Sequence, residues 1–357
     1  MRAIRKLRPV GEGGRMALCA RNVNGLPCLP MSTSLSAASP VVRLALPALL
    51  AGAVGIAFAP IFVRLSEVGP IATAFYRTLF ALPLLFAWMS LEGRRSGRDE
   101  AAPVQDRPRS LRDHMLLAIP GLSFMGDLAF WHISITMTTV ANATLLANFA
   151  PVFVTLGGWM LWRVTPTRTF LAGMAIAMMG AIVLMGESLT ISAEQIMGDA
   201  LGVVTAVFYA AYILSIGRLR ARFSTSVLMT WSTVYTCAGL AVCTLAAGES
   251  MVIESLYALG ILVALAAVSH FGGQSLIAYA LAHLPANFGS VSLLLQPAVA
   301  AVLAWLILSE PLSAWQGVGG VIILVGIFLA RRGSRPPRPA AEAAGEPVVA
   351  AQAKEKS

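Results

Sequence analysis

The sequence predicts an all-α polytopic membrane protein whose ten transmembrane helices form two inverted five-helix repeats. Three observations carry this. The chain is 57% hydrophobic and 12% charged, whereas soluble domains run to about 45–50% apolar and about 25% charged residues. Ten apolar runs each approach the roughly 20 residues that a spanning helix needs. A block near the middle also returns 146 residues later: Pro151, Trp159, Gly173 and Gly180 reappear as Pro297, Trp305, Gly319 and Gly326, with Ile176 matched by Ile322. Pro and Gly inside spanning helices set kinks and close backbone approach, so their shared spacing says more than matched Leu or Val would.

In chain order, residues 1–43 are rich in Arg, Pro and Ala, hold no run long enough to span, and read as a disordered tail. The tail is basic but has no apolar core before a cleavage site, which argues against a cleaved signal peptide. Met16 and Met31 leave the start codon open. The first repeat, 44–186, carries spans at 44–63, 70–90, 115–135, 141–161 and 169–186. The second, 187–330, carries spans at 199–217, 226–246, 256–278, 287–308 and 315–330, and a second tail covers 331–357. The four cysteines, Cys19, Cys28, Cys237 and Cys243, show no metal or redox spacing and read as free thiols.

The net charge of +9 is a topological signal rather than a nucleic-acid footprint. All but two of the 26 basic residues fall before span one, after span ten, or in the loops that follow spans two, four and six. The positive-inside rule makes that side cytoplasmic, with both termini on it, in the plasma or inner membrane of the cell. The opposite loops carry Glu67, Glu187, Glu194, Glu249 and Glu254. Five spans per repeat is an odd number, so the second copy enters the membrane upside down relative to the first. Pro151 and Pro297 then both lie about 15 Å from a surface, near the midplane, where they are expected to kink their helices. Inverted-repeat transporters place substrate sites at this depth. Gly173 and Gly180, and likewise Gly319 and Gly326, sit seven apart on one helix face and read as packing positions. Trp159, Trp162 and Trp305 read as interfacial aromatics.

The stretches "NATLLANFAPVF" and "SVSLLLQPAVAAVLAWLILSEPLSAWQGVGGVIILVG", with Arg77 in "AFYRTLF", resemble the drug/metabolite transporter superfamily, of the EamA type with ten helices. The resemblance covers nearly all of residues 44–330. It implies a central cavity lined mainly by helices one, three, four, six, eight and nine, with five and ten packed outside. It also implies export of amino acids, metabolites or drugs, often driven by the proton gradient. Members often carry an acidic residue at the end of span four, where this chain has Arg163 and Val164; Glu310 holds that place in the second half.

Two ionisable groups are expected near mid-membrane, Arg77 and Asp127. An unpaired charge at a helix centre costs about 2.5–3.5 kcal/mol on insertion scales, so the two are expected either to pair or to face a wet cavity. In the first arrangement they form a static ion pair; in the second Asp127 lines the pathway and binds a substrate amine or a proton. Asn148 lies at the same level with Thr144 one turn away, and Trp131 shares the face of Asp127. From the second half come Gln296 beside Pro297, and His270 with Gln274 on span eight, His270 as a relay or as a structural histidine. Tyr209 and Tyr212 are either cavity lining or packing.

The function expected is a secondary active transporter, a proton-coupled exporter of amino acids or drug-like metabolites working by alternating access. Direct use of ATP is disfavoured by the lack of GxxxxGK[ST]. The alternative within transport is an antiporter of sugar phosphates or nucleotide sugars. The alternative from another class is a membrane-embedded enzyme, for which the chain offers no HExxH or GxSxG. No cofactor, metal or nucleic acid is expected. The partners expected are a small-molecule substrate and the lipid bilayer, with the oligomeric state left between monomer and homodimer.

Overall fold

The computed structural model describes residues 40–96, 107–186, 193–309 and 312–334. The tails beyond them, Glu187 and Glu310 lie outside the described residues. Within them there is no strand, and ten helices are long and apolar enough to cross a membrane: Leu44–Arg64, Pro70–Arg94, Leu111–Met137, Asn142–Trp162, Arg168–Met185, Ala193–Leu219, Thr225–Ala246, Leu256–Ala280, Ala286–Ile307 and Ala314–Gly333. These are spans one to ten. The order matches the apolar runs, and the helices outrun them where polar first turns are capped. Span three starts at Leu111 rather than 115 because Ser110 and Asp113 form a reciprocal capping box. Ser313 and Gln316 do the same for span ten, and Thr167, Ser224 and Ser255 cap spans five, seven and eight.

Half of the spans are not regular α-helices. Span four breaks at Asn148 and Phe149, between helices Val140–Ala147 and Ala150–Trp162, just before Pro151. Span nine breaks at Leu293 and Leu294, between Ala286–Ser292 and Leu295–Leu308, just before Pro297. A proline ring clashes with the carbonyl four residues back and lacks an N–H, so the turn ahead of it opens. Span one is interrupted at Phe58 ahead of Pro60, and span two at Phe80 and Ala81 ahead of Pro83. Span eight keeps its length but winds as a π-helix over Leu265–Gln274.

Spans five and ten pack against each other without room for a side chain at their glycines. A Cβ on Gly173 would sit 2.2 Å from Ala330 N, one on Gly180 2.6 Å from Ile323 N, one on Gly319 2.5 Å from Leu184 N, and one on Gly326 2.3 Å from Ala177 N. Residue numbers rise on one helix as they fall on the other, so the two run antiparallel. The contacts also map onto themselves under the 146-residue shift: Gly173 against Ala330 becomes Gly319 against Leu184. This is an internal two-fold relating two inverted repeats. The backbone repeats as well, since Arg163 and Ser309, also 146 apart, end their helices at φ of 57° and 54°, a left-handed conformation uncommon for residues other than glycine. Trp159 and Trp305 are half-exposed on the outer surface.

Candidate functional site

Counting membrane crossings puts the loops rich in arginine on one face of the bundle and those holding Glu67, Glu194, Glu249 and Glu254 on the other; these are the arginine face and the acid face. A cavity of about 770 Å³ opens on the acid face and reaches the mid-membrane residues. Its walls are the ends of spans one, three, five and nine and the starts of spans two, four, six and ten, all of which lie at that face, with Gln274 from span eight. Span two, absent from the helix set that the resemblance implies, contributes Thr73 and Arg77. Spans five and ten, packed on each other along their length, reach the cavity only at Leu184, Met185 and Gln316.

At the cavity floor Arg77 is buried, 6% exposed, with its guanidinium carbon 5.9 Å from the centre of the Phe124 ring. Asp127, half-buried, lies on the same cavity from span three. Among the described residues neither a hydrogen bond nor an ion pair joins the two, although each charge acts on the other through space. Phe124 is packed from behind by Tyr212, with ring centres 4.7 Å apart, and Tyr212 stacks on Tyr209 at 6.1 Å. The two tyrosines thus divide their roles: Tyr209 lines the cavity, while Tyr212 is buried and turns its hydroxyl to Met229 Sδ at 3.7 Å.

Asn148 lies at the break of span four, and Thr144 on the turn before it; both line the cavity. Helix breaks at membrane depth are tolerated where they border such a space. Gln296 and Pro297 stand on the first turn after the break in span nine. Trp131 completes the wall, with the buried His132 edge-on to it at 4.9 Å and donating from Nδ1 to Leu128 O at 2.6 Å. Of the residues singled out for the pathway, Asp127, Arg77, Asn148, Trp131, Gln296 and Tyr209 therefore share one cavity.

His270 does not. It is 1% exposed, bonded through Nε2 to Thr233 Oγ1 at 2.8 Å, and sits behind Phe124 with ring centres 5.6 Å apart. The cavity residue of span eight is Gln274, at the end of the π-helical stretch. Two buried polar atoms on the lining residues, Arg77 Nε and Gln274 Oε1, have no hydrogen-bond partner, while the Gln296 amide stands within hydrogen-bonding reach of the Tyr209 hydroxyl. Buried polar groups are seldom left so, and each such atom asks for an explanation. Thr73 and Thr205 were not among the residues singled out from sequence. The available signal was spacing, since each precedes a cavity residue, Arg77 or Tyr209, by four positions on the same helix face.

Comparison with known proteins places this architecture. The model of the EamA-like transporter family matches residues 43–186 and 196–332, one match to each half. An uncharacterized transporter of Archaeoglobus fulgidus is 27% identical over 277 residues, covering 75% of this chain and 91% of that protein. One of Methanothermobacter thermautotrophicus is 26% identical over 204 residues, covering 54% of this chain and 57% of its own length. A solved crystal structure superposes with a TM-score of 0.64 over 83% of this chain and 98% of its own, at 19% identity, and so shares the fold. With both five-span halves matched, the chain belongs to the EamA-like transporter family.

Proposed function

We propose that this transporter is a secondary active, proton-coupled exporter of small zwitterionic or amine-bearing metabolites, amino acids foremost, working by alternating access. One observation carries the reading: Arg77 and Asp127 face one cavity without neutralising each other. A carboxylate of the substrate is matched by Arg77 and Gln296 Nε2, and an ammonium by Asp127 and Gln274 Oε1. A substrate with both groups supplies partners to the two unsatisfied atoms, Arg77 Nε and Gln274 Oε1, and neutralises two charges at once, which favours it over cargo of one sign. Trp131 and Tyr209 offer apolar faces to the rest of the molecule. A sugar phosphate, with two or more negative charges, would meet the Asp127 carboxylate in the same space.

Coupling follows from competition at Asp127. Its carboxyl holds either a proton or the substrate ammonium, so release of one accompanies binding of the other, and a proton gradient drives the amine the opposite way. The two repeats, 44–186 and 187–330, rock against each other about the internal two-fold, exposing the cavity to each face in turn. The protein lies in the cell membrane with both termini cytoplasmic, a reading supported by the arginine bias. The outward direction rests on the family resemblance.

The test is flux of labelled amino acids and amines in sealed vesicles under an imposed pH gradient. The wild type is expected to accumulate a tracer unchanged, and Asp127→Asn to insert normally but lose gradient-driven accumulation. Full coupled flux in that variant would remove Asp127 from the mechanism, and recovery of a chemically altered tracer would favour an enzyme.

A further inference from the structure

A second cleft opens at the arginine face, away from the cavity already described. It has a volume of about 230 Å³ and is walled by Met89, Ser90 and Gly93 from the end of span two, Arg107 and Pro108 from the loop that follows, His114 from span three and Trp231 from span seven. We propose that this cleft holds the phosphate headgroup of an anionic glycerophospholipid.

Depth is the first argument. His114 is the fourth residue of span three and Trp231 the seventh of span seven, which sets them about 5 and 9 Å inside their helix starts at 1.5 Å per residue. The headgroup zone occupies about 5–8 Å on each side of the hydrocarbon. The cleft therefore lies at the boundary where a lipid changes from phosphate to acyl chain. The second argument is charge. Arg107 is exposed and, among the described residues, makes no ion pair. His114 uses Nδ1 on Tyr235 Oη at 3.0 Å, which leaves Nε2 for a ligand, and its ring stands edge-on to Trp231 at 4.7 Å. Arg94, Arg109 and Arg112 are exposed nearby. The neighbouring carboxylate is already committed: Asp113 accepts from Arg109 N at 2.8 Å and Ser110 N at 3.1 Å and pairs with Arg222. A phosphate entering the cleft thus meets cationic and hydrogen-bonding groups, and Glu92, between Ser90 and Gly93 on span two, is not part of the cleft wall and acts on Arg220.

The surroundings favour a lipid over a soluble phosphate ester. Met115, one residue deeper than His114 on span three, is 57% exposed, the exposure of a residue that meets acyl chains. Met89 and Pro108 add apolar wall, and the cleft is sized for a headgroup rather than a whole lipid. Anionic lipids are concentrated where juxtamembrane arginines gather, each cation near the surface adding to their attraction.

The experiment is native mass spectrometry of the delipidated full chain in detergent, titrated with phosphatidylglycerol, phosphatidylcholine or glycerol 3-phosphate. Phosphatidylglycerol is expected to bind as one retained molecule, the neutral lipid and the soluble phosphate ester not to be retained, and Arg107→Gln to weaken binding about fivefold. Gly93→Leu is the second variant. A Cβ at Gly93 meets nothing within 4 Å, so a side chain has room to start into the cleft there, and leucine is expected to occupy it and abolish retention. Arg331→Gln, on the same face but on span ten, is expected to bind as the wild type does. Equal retention of both lipids, wild-type binding by Gly93→Leu, or equal weakening by Arg331→Gln and Arg107→Gln would each overturn the site. Retention of glycerol 3-phosphate as tight as the lipid would overturn the lipid assignment.

Discussion

Arg77 and Asp127 occupy one cavity without meeting, and that separation decides what their removal does. In a closed buried ion pair, deleting one partner strands the other and costs about 3–5 kcal/mol, much of it restored when both go. Here the two charges act on each other through space without touching, Arg77 against the face of Phe124 and Asp127 against the cavity. Arg77→Gln and Asp127→Asn are therefore expected to couple less strongly than a contacting pair does in their effects on unfolding, at about 1 kcal/mol or less. Each is also expected to weaken binding of a zwitterion tenfold or more, because a hydrogen bond to a charged group is worth about 1.5–3 kcal/mol. A double-mutant cycle on unfolding in detergent, paired with equilibrium binding of a labelled amino acid, measures both. Coupling well above 1 kcal/mol would mean that the pair closes in the dominant solution state.

Among the elements, spans five and ten form the scaffold about which the repeats are related, and their glycines are fixed by backbone contact. A Cβ on Gly326 would fall 2.3 Å from Ala177 N, so Gly326→Ala must part the helices; overpacking of this kind costs about 1–3 kcal/mol. Gly317 lies on the same span with open space at its Cβ position. Gly317→Ala is expected to be neutral or to stabilise by up to about 1 kcal/mol through helix propensity. Thermal unfolding of the two variants side by side checks this, and an equal loss in both would point to glycine flexibility rather than packing. Much of this level was legible in the sequence, because bilayer-length apolar runs, prolines at matched depth and glycines seven apart are local signals. The π-helical stretch of span eight was not. It depends on a distant neighbour, since Gly52 and Gly55 of span one press on Gly273 and Ser269 donates to Gly55 O at 2.9 Å. A reading at α-helical periodicity gave His270 and Gln274 one face, and the structure puts only Gln274 on the cavity. Thr73 and Thr205 escaped for a related reason: a threonine in a spanning helix commonly bonds its own backbone, as both do here, and its composition does not mark a wall.

For the whole molecule, the internal two-fold and the one-sided cavity together make a directional prediction. The scaffold treats the two faces almost alike, while the cavity opens only at the acid face. Toward the arginine face the bundle is filled by aromatic contacts, including Phe124 with Tyr212 and Trp88 edge-on to Phe271 at 6.1 Å. If the arginine face is cytoplasmic, this is the outward-facing state, and residues high in the cavity meet the exterior. Ala304 of span nine lines the cavity near its mouth. On a background with Cys19, Cys28, Cys237 and Cys243 replaced by serine, Ala304→Cys is expected to react with a membrane-impermeant maleimide in intact cells, and Phe271→Cys, packed in the closed half, to stay unlabelled even after permeabilisation. A reporter fused after Ser357 is expected to read cytoplasmic in the same cells, which fixes the faces independently of the cysteines. Protection of Ala304→Cys by a transported amino acid would tie the open cavity to the transport cycle. Labelling of Ala304→Cys only after permeabilisation, together with an exterior reporter, would invert the topology. An unlabelled Ala304→Cys with a cytoplasmic reporter would instead show that the resting state in cells is closed at the acid face.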